Sequence, residues 1–376
     1  MAELISRMTH FPETIFSTMT RLAQERGAIN LGQGFPDESG PESMLRRAQE
    51  EIARGNNQYA PGRGFTELRE AVAADRGGFY DPETEILITV GATEGIAASI
   101  LALVEPGQEV IVIEPYYDEY AAIIALAGAN MVPVPLDENL RPDIPAIREA
   151  ITPKTAALII NTPHNPTGIM FSLAELQAIA DLAQEADLLV IADEVYEKFG
   201  FDGRRHAKIA ELAGMKERTV TVSSAAKMLS VTGWKTGWVM ATKEHIDAIL
   251  MVKQYLSFVG VSHVQPAIAA ALREEQEWIA DLGRRIERRR DILRDALEKA
   301  GYPTYGAEGG YFIVADVGQD AEEFCLGELV DKGIVGIPVS AFVSSEVGKT
   351  RFSRLVRFAL CRPDADIEAA VNLLVN

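Results

Sequence analysis

The hydrophobic pattern between about residues 85 and 241 repeats one rhythm: a short apolar run, a loop, then a segment with helical spacing. Runs such as Leu188–Ala192 are apolar at every position, which is typical of central strands that are covered on both faces. The alternation predicts an α/β fold with a mostly parallel central sheet and helices on both faces. The predicted strands are Ile86–Val90, Glu109–Glu114, Met131–Val134, Ala156–Ile160, Leu188–Ala192, Arg218–Val222 and Trp238–Ala241.

Helices are predicted between these strands. Leu173, Leu176 and Ile179 form an apolar stripe at helical spacing, and Ser172 with Glu175 three residues later predicts a capping box at its start. The predicted helices of this part are Thr93–Val104, Glu119–Ala127, Ile144–Ala150 and Leu173–Ala186.

The rhythm changes after Ile246. A long charged helical stretch, Gln265 to Ala300, carries a run of arginines that predicts a solvated face. Two further strands, Tyr311–Ala315 and Leu355–Leu360, and helices near residues 320–332 and from 364 follow it. The sequence therefore predicts three parts: an N-terminal arm (1–35) that joins the small domain, a large α/β domain (36–262) and a small C-terminal α+β domain (263–376).

Composition narrows the function classes. The chain has 376 residues and a net charge of −19, so a nucleic acid or an anionic membrane would be repelled. It has two cysteines, and its five histidines never occur at metal-ligand spacing. No secretory signal or membrane-length apolar run is recognised in the sequence. We therefore expect a cytoplasmic protein that binds no metal.

Groups at the carboxyl ends of the predicted strands are the first candidates for ligand binding, since open α/β sheets bind there. Gly91, Ala92 and Thr93 open a helix, where free backbone N–H groups and the helix dipole favour an anion. A plain strand-to-helix turn explains the same residues. Asp193 follows an apolar strand, and a buried acid is costly unless it is paired. It is either a structural ion-pair residue or the partner of a bound cation.

Two cations extend this set of candidates. Lys227 follows the small residues Ser223–Ala226, and Lys235 stands eight positions later. Lys227 is either simply exposed or a desolvated amine near another cation, whose pKa would be lowered so that it becomes a nucleophile. Arg357 lies in a predicted strand, where a lone arginine is commonly a surface residue.

In order and spacing, these residues resemble the fold-type I, class I/II pyridoxal-phosphate-dependent aminotransferases. The resemblance runs from Asn30–Asp37 to Leu355–Phe358, and its most specific segments are Ser224–Lys227 and Asp193-x-x-Tyr196. It implies the fold of that family, with pyridoxal 5′-phosphate (PLP) as cofactor. It also implies an amino-acid donor and a 2-oxo acid acceptor such as 2-oxoglutarate as substrates.

The resemblance also implies the chemistry at the cofactor ring. Lys227 would hold PLP as a Schiff base and move the proton between the substrate Cα and the cofactor. Asp193 would pair with the pyridinium nitrogen and keep it protonated, so that the ring accepts electrons. Asn165 and Tyr196 would donate hydrogen bonds to the phenolate oxygen.

The resemblance also implies which residues bind the cofactor phosphate and which residue contacts a second subunit. The backbone of Ala92 and Thr93 would bind the phosphate, together with the side chains of Ser224 and Lys235. Many relatives have arginine at the position of Lys235, so a point charge replaces a bidentate group here. Tyr59 resembles the tyrosine that reaches a neighbouring subunit's phosphate, which implies a homodimer.

The ring and the substrate carboxylate complete the implied site. Tyr117 would stack on the cofactor ring, with Tyr116 the less favoured candidate. Arg357 would clamp the substrate α-carboxylate, aided by the backbone of Gly34 and by Asn165.

Other protein classes fit the sequence less well. A nicotinamide dehydrogenase needs a third glycine that neither Gly32-x-Gly34 nor Gly62-x-Gly64 provides. Gly348-Lys349-Thr350 mimics the end of a phosphate loop, but Val343 stands where the first glycine is required. A transcription factor on the same scaffold would need an added DNA-binding domain and a basic surface. The remaining rival is carbon–sulfur β-lysis on this scaffold.

The donor is inferred from the resemblance alone. Lys253–Phe258 places the chain in the kynurenine, glutamine and methionine aminotransferase branch, while Ser223–Met228 and Ile337–Phe342 look most like actinobacterial N-succinyldiaminopimelate aminotransferases. The function implied is N-succinyl-LL-2,6-diaminopimelate:2-oxoglutarate transamination in lysine biosynthesis. Methionine, kynurenine or glutamine transamination and cysteine-S-conjugate β-lysis are the alternatives. Lys253 would suit a succinyl carboxylate, although surface solvation explains a single lysine more simply.

Overall fold

The computed structural model describes residues 5–9, 11, 15–36 and 38–375. Pro12 of the predicted arm and Asp37 of the segment that carries the resemblance lie outside the described residues. The strands are β1 (Ile29–Asn30), β2 (Ile86–Thr89), β3 (Glu109–Glu114), β4 (Asn130–Pro135), β5 (Thr155–Asn161), β6 (Leu189–Asp193), β7 (Thr219–Ser224), β8 (Gly237–Met240), β9 (Thr304–Tyr305), β10 (Phe312–Asp316), β11 (Ile334–Val335), β12 (Ile337–Pro338) and β13 (Leu355–Ala359).

The helices include long amphipathic segments and short pieces of one or two turns. They are α1 (Ile15–Arg26), α2 (Glu42–Ala53), α3 (Thr66–Asp75), α4 (Gly91–Leu103), α5 (Glu119–Leu126), α6 (Ile144–Ala150), α7 (Leu173–Glu185), α8 (Ala225–Met228), α9 (Lys243–Leu256), α10 (Gln265–Glu274), α11 (Gln276–Lys299), α12 (Ala321–Leu326), α13 (Glu328–Asp331), α14 (Glu346–Arg351) and α15 (Asp364–Val375).

The large sheet has seven strands in the order β2-β8-β7-β6-β5-β3-β4. The pairs from β4 to β7 are parallel, whereas β8 runs antiparallel to both β7 and β2. The predicted mostly parallel sheet is confirmed, and each predicted strand in this region is found within two residues of its expected bounds.

Both faces of this sheet are covered by helices. Alternate residues of a strand point to opposite faces: Ile159 and Ile191 pack with α4, α5 and α9, whereas Leu158 and Val190 pack with α6 and α7. This is why the central strands are apolar at every position. The capping box at the start of α7 is also confirmed, since Ser172 accepts from the Glu175 backbone while Glu175 accepts from that of Ser172.

A smaller antiparallel sheet, β12-β13-β10-β9, carries Arg357 on its strand β13. The segment after α1 reaches this region through β1, which pairs in parallel with β11. Leu31 then accepts a hydrogen bond from Ala359, the last residue of β13. The division into an arm, a large domain and a small domain stays a prediction.

Two expectations about charged residues are wrong. The arginine run on α11 is not simply a solvated face, because Arg289 and Arg290 are buried. Arg290 donates to both carboxylate oxygens of Asp202 at 3.0 and 2.9 Å, and Arg289 donates to Asp364 at 2.5 Å. The predicted continuous stretch is also two helices, α10 and α11, which meet at Glu275.

Lys253 is the second correction. It is fully buried, and its Nζ donates to the carbonyl oxygen of Phe258 at 2.8 Å. Surface solvation therefore does not explain this lysine, and its ammonium group is already engaged within the protein rather than turned to a ligand. Within the described part of the chain, no helix is both long and apolar enough to cross a membrane.

Candidate active site

A cavity of about 350 Å³ opens at the carboxyl ends of β5, β6 and β7, beside the first turn of α4. Eleven of the predicted site residues line this cavity, although the chain separates them widely. They are Gly34, Ala92, Thr93, Tyr117, Asn165, Asp193, Tyr196, Ser224, Lys227, Lys235 and Arg357. The parallel topology therefore brings together the residues that were selected at strand ends.

The first turn of α4 forms one wall of the cavity. Gly91 has φ +75°, a conformation that favours glycine, and a Cβ there would lie 3.2 Å from Nζ of Lys235. A Cβ on Gly237 would lie 2.8 Å from the backbone nitrogen of Ala92, so a second glycine allows β8 to approach the helix start. The free N–H groups of this turn and the Lys235 ammonium thus face the same space, which suits an anion.

Asp193, the last residue of β6, is buried at the cavity floor. The Tyr120 hydroxyl donates to its Oδ2 at 2.5 Å, and the Val195 N–H donates to its Oδ1 at 3.2 Å. Burial raises the pKa of Asp193 to about 6, although these two donors and the nearby Lys227 oppose that shift. Among the described residues, the salt bridges include none to this carboxyl group, so a cationic ligand group would be stabilised here.

Lys227 lies on the short helix α8 directly after β7. Its Nζ donates to the carbonyl oxygen of Gly34 at 2.8 Å. Burial lowers the pKa of Lys227, and the positive charges of Arg357 and Lys235 lower it further, against the opposing effects of Cys361 and Asp193. A larger fraction of the amine is therefore neutral than at an exposed lysine, as a nucleophile or a proton acceptor requires.

Aromatic rings fix the backbone and the surroundings of this lysine. The Tyr311 hydroxyl donates to the carbonyl oxygen of Lys227 at 2.8 Å. The Lys227 Nζ lies 5.6 Å from the ring centroid of Tyr196 and 5.8 Å from that of Tyr311. Burial raises the pKa of the Tyr196 phenol well above its usual value, so this phenol stays protonated and available as a donor.

Arg357 is fully buried at the other end of the cavity. Its Nη1 donates to Oδ1 of Asn165 at 2.8 Å, and its Nη2 donates to the carbonyl oxygen of Gly32 at 2.5 Å. Its guanidinium carbon lies 4.1 Å from the ring centroid of Phe312 and 4.8 Å from that of Phe342. Burial lowers the pKa of Arg357 to about 10, so the group is still a cation at neutral pH.

The loop after β5 positions Asn165. The Asn161 side chain accepts from the Asn165 backbone at 2.7 Å and donates to the Asp193 carbonyl at 3.0 Å. Asn161 and Asp193 are also register partners in the parallel pair β5–β6. One asparagine at a strand end therefore links the loop that carries Asn165 to the strand that carries Asp193.

Two predicted aromatic residues have different surroundings. Tyr117 lines the cavity, whereas the buried Tyr116 lies outside that lining. The ring of Tyr117 packs edge-on against Tyr120 with centroids 5.8 Å apart. The preference for Tyr117 over Tyr116 as the residue facing a bound ring is therefore compatible with the geometry, and its stacking role stays a prediction.

Tyr59 is not part of the cavity lining in the described chain. Its side chain is 79% exposed and packs edge-on against Phe258, with ring centroids 5.1 Å apart. The implied contact of Tyr59 with a second subunit's phosphate is a prediction that a single chain cannot test.

Sequence reasoning missed several residues that hold the site in place. Tyr120 bonds Asp193, Tyr311 bonds the Lys227 backbone, and Phe312 and Phe342 enclose Arg357. Tyr120 alone had a local signal, because it lies one helical turn after Tyr117 and its helix begins at the same sheet edge.

Comparisons with known proteins agree with this geometry. The model of the family described as "Aminotransferase class I and II" matches residues 26–374. A probable N-succinyldiaminopimelate aminotransferase DapC from Mycobacterium tuberculosis is 48% identical over 98% of this chain and 97% of that protein. A methionine aminotransferase from Escherichia coli is 35% identical over 98% of this chain and 97% of its own length.

Solved structures show the same relation. A structure of N-succinyldiaminopimelate aminotransferase from Mycobacterium tuberculosis superposes with a TM-score of 0.95, at 48% identity and with 99% of each chain covered. The sheet topology, the cavity at its strand ends and the full-length similarity lead to one conclusion: the chain belongs to the class I and II aminotransferases.

Proposed function

We propose that this chain is a PLP-dependent aminotransferase that transfers the amino group of N-succinyl-LL-2,6-diaminopimelate to 2-oxoglutarate. The observation that supports the chemistry is the joint presence of Lys227, Asp193 and Arg357 in one buried cavity. The choice of donor is supported by the 48% identity to the Mycobacterium tuberculosis protein, whose name states that activity.

The residues present fit PLP. The anion site at the start of α4 would take the phosphate, with the backbone of Ala92 and Thr93 and the side chains of Ser224 and Lys235. Asp193, a buried acid whose pKa burial raises to about 6, would regain its charged form opposite a protonated ring nitrogen. Asn165 and Tyr196 would donate to the ring oxygen, and the ring of Tyr117 would stack on the cofactor.

Lys227 would attach the cofactor and carry the proton. Bound PLP supplies a ring that accepts the electrons released at the substrate Cα. The lowered pKa of Lys227 favours a neutral Nζ, which would take the proton from the substrate Cα and deliver it to the cofactor carbon. Tyr311 holds the backbone of Lys227, so that its Nζ can swing without displacement of the helix.

Arg357 would orient the substrate. Its guanidinium group is fixed between aromatic rings and would offer two parallel donors to the α-carboxylate. In the described arrangement these donors are satisfied by Asn165 and Gly32, so a carboxylate would replace at least one of these acceptors. With its carboxylate bound at Arg357, the substrate would be oriented so that its Cα lies near Nζ of Lys227.

A homodimer is part of this proposal. The segment that includes Phe258, the ring partner of Tyr59, carries several other exposed apolar side chains, as an interface covered by a partner subunit would. They are Met251, Tyr255, Leu256 and Val261. In a cytoplasmic dimer, Tyr59 would reach the partner subunit's phosphate site.

The donor is tested by comparing kcat/KM for N-succinyl-LL-2,6-diaminopimelate, methionine and kynurenine, with 2-oxoglutarate as acceptor. We expect the succinylated donor to be preferred by at least about 100-fold, since a site built to bind a polar group of its donor rejects analogues that lack this group more strongly than pocket size alone can. A wide preference for kynurenine would refute this donor. Release of pyruvate and ammonia instead of a keto acid and glutamate would show β-lysis.

Two variants test the assigned roles in the same assay. Lys227→Ala should lose the visible absorbance of the Schiff base and nearly all activity, because the amine is removed. Arg357→Ala should keep that absorbance while KM for the donor rises roughly 100-fold, since two charge-assisted hydrogen bonds are lost. Loss of the cofactor from Arg357→Ala would contradict the carboxylate role.

The dimer is tested by light scattering on a pair of matched variants. Leu256→Glu places a charge in the proposed interface and should yield monomers, whereas Leu326→Glu alters an exposed leucine of α12 that is outside it. Equal masses of the two variants would argue against this interface.

A further inference from the structure

Glu119, the first residue of α5, lines the same cavity as the predicted cofactor-binding residues. The Thr93 hydroxyl donates to its Oε2 at 2.8 Å. The Glu119 carboxyl also interacts electrostatically with the phenol of Tyr117, which lines the cavity two positions earlier. One acid therefore bonds a residue of the anion site and adjoins the residue proposed to face the cofactor ring.

An acid in this place is unexpected on electrostatic grounds. The site combines a helix N-terminus with the Lys235 ammonium and so favours anions, whereas a second negative charge beside it would repel a phosphate. Burial raises the pKa of Glu119 to about 7, and the negative charge of Asp193 adds to this, while Thr93, Lys235 and Tyr117 oppose it. The charge of this carboxyl therefore changes near neutral pH.

A role in capping α5 does not account for the arrangement. An acid in the first turn of a helix interacts favourably with the helix dipole even when it is solvated. Glu119 instead accepts a hydrogen bond from Thr93 on α4, a different element of the fold. Both residues line the cavity, which a residue that served only α5 would not require.

We propose that Glu119 is a positioning residue that holds Thr93 in place, and that its charge sets how tightly the site binds the cofactor phosphate. The inference rests on the proposed PLP function. When Glu119 is neutral, the phosphate meets the helix start and Lys235 without repulsion. When Glu119 is ionised, the repulsion weakens phosphate binding, and by reciprocity the bound phosphate favours the protonated acid.

Other charged groups near Glu119 also change the binding of a ligand with pH, and a test must separate their effects from that of Glu119. Lys235 faces it from the turn before β8, and Asp193 faces it from β6. Asp193 and Lys227 also titrate, and both would act on any bound cofactor ring whether or not it carries a phosphate. A comparison of two ligands that differ only in the phosphate removes their contribution.

The experiment measures dissociation constants of pyridoxine 5′-phosphate and pyridoxine for the cofactor-free protein by equilibrium dialysis at pH 6.5 and 8.5. Neither ligand has an aldehyde, so neither reacts with Lys227. The ratio of the two constants reports the phosphate contribution. From pH 6.5 to 8.5, we expect the phosphate contribution to affinity to fall about tenfold more in the unaltered chain than in Glu119→Gln. A coupling of about one pKa unit between the carboxyl and the phosphate corresponds to that factor.

Three variants separate charge from position. Glu119→Gln keeps an acceptor but has no charge, so it should bind the phosphate more tightly than the unaltered chain at pH 8.5. Glu119→Ala lacks the acceptor as well and should bind about fivefold more weakly than Glu119→Gln, the effect of about one lost hydrogen bond. Glu105→Gln removes an exposed charge beyond the far end of α4 and should behave like the unaltered chain.

The outcomes are distinct. The same pH dependence in Glu119→Gln as in the unaltered chain would overturn the role of charge, and equal binding by the Gln and Ala variants would overturn the positioning role. If the unaltered chain binds neither ligand, the proposed cofactor fails and this inference fails with it. Thermal unfolding of each variant identifies any that is misfolded, and Glu119→Asp then provides the conservative replacement.

Discussion

Asp193 and Glu194 are neighbours at the end of β6, and both are buried, yet their environments are opposite. Asp193 faces the cavity, and the donors to its carboxylate among the described residues are neutral, the Tyr120 hydroxyl and a backbone N–H. Glu194 points the other way, where Arg76 Nη1 lies 2.6 Å and His206 Nε2 lies 3.3 Å from its carboxylate. The same strand end therefore supplies one acid to the cavity and one to an internal ion cluster.

The two pKa values move in opposite directions for this reason. Burial raises the pKa of Asp193 to about 6, because its two hydrogen bonds and the nearby charge of Lys227 do not offset the loss of solvation. Burial acts in the same direction on Glu194, but His206 and Arg76 outweigh it and hold the pKa of that carboxyl well below its usual range. Burial alone therefore does not identify an acid that binds a ligand. A buried acid that lacks a cationic partner within the protein is the better candidate, because a cationic ligand group can supply that partner.

The largest expected difference between the two acids is in catalysis. Asp193→Asn should lower kcat about 1,000-fold, because an amide cannot stabilise the protonated ring nitrogen on which electron withdrawal depends. Glu194→Gln should leave kcat within about threefold, since its carboxyl faces away from the cavity. Steady-state kinetics of the two purified variants provide the comparison, and equal losses would show that the two faces are not functionally separate.

The next difference is in stability. Glu194→Ala should lower the free energy of unfolding by about 3 kcal/mol, because it removes one partner of a buried ion pair and leaves Arg76 with less compensation. Arg76 also contacts Glu197 at 2.8 Å, which limits the loss. Urea unfolding of cofactor-free protein measures this effect, with Asp193→Asn as the matched control. If Asp193→Asn lowered the free energy of unfolding as much as Glu194→Ala does, the proposed difference between the two acids would be wrong.

The smallest effect concerns pH. The folded pKa of Asp193 is above its unfolded value of 3.8, so its favourable contribution is present below that value and is lost as the pH rises through about 6. Glu194 is the opposite case, because its lowered pKa gives a contribution that is present above its unfolded value and is lost as the pH falls. In the cofactor-free protein, Asp193→Asn should therefore stabilise the fold by about 2 kcal/mol at pH 7.5.

This gain should shrink to less than about 1 kcal/mol near pH 4, because folded Asp193 is neutral there and unfolded Asp193 is close to its own pKa of 3.8. Urea unfolding at the two pH values measures it. A gain of the same size at both pH values would mean that packing, rather than the charge of Asp193, is responsible.

The sequence was sufficient for the sheet and for most of the cavity. Strands such as β5 and β6 are apolar throughout because two helical layers cover them, and that local pattern is visible without tertiary information. Asp193 and Lys227 were predictable as candidates because parallel strands end at one edge, so that a position at a strand end also gives a position in space.

What the sequence could not supply is the identity of contacts between distant segments. Lys253 and Arg290 are charged residues on helices, where exposure is the usual outcome. Their polar partners are the Phe258 carbonyl for Lys253, and Asp202 and the Ala307 carbonyl among others for Arg290, and no periodicity indicates these contacts. Glu119 was missed for the same reason, since its partner Thr93 lies 26 positions away. The place of Tyr120 near the sheet edge was visible in the sequence, but its partner Asp193 lies 73 positions away.

The segment from Gly32 to Gly34 holds two of the three cations that line the cavity, since its two glycine carbonyls accept from Arg357 and Lys227. An inhibitor that binds either of these two groups must therefore compete with the protein's own backbone. A simple carboxylic acid can displace the Gly32 carbonyl but leaves the contact at Gly34 intact. A compound that carries both a carboxylate and a group for Lys227 would release the segment at both points, and its affinity would include the energy needed to move that backbone.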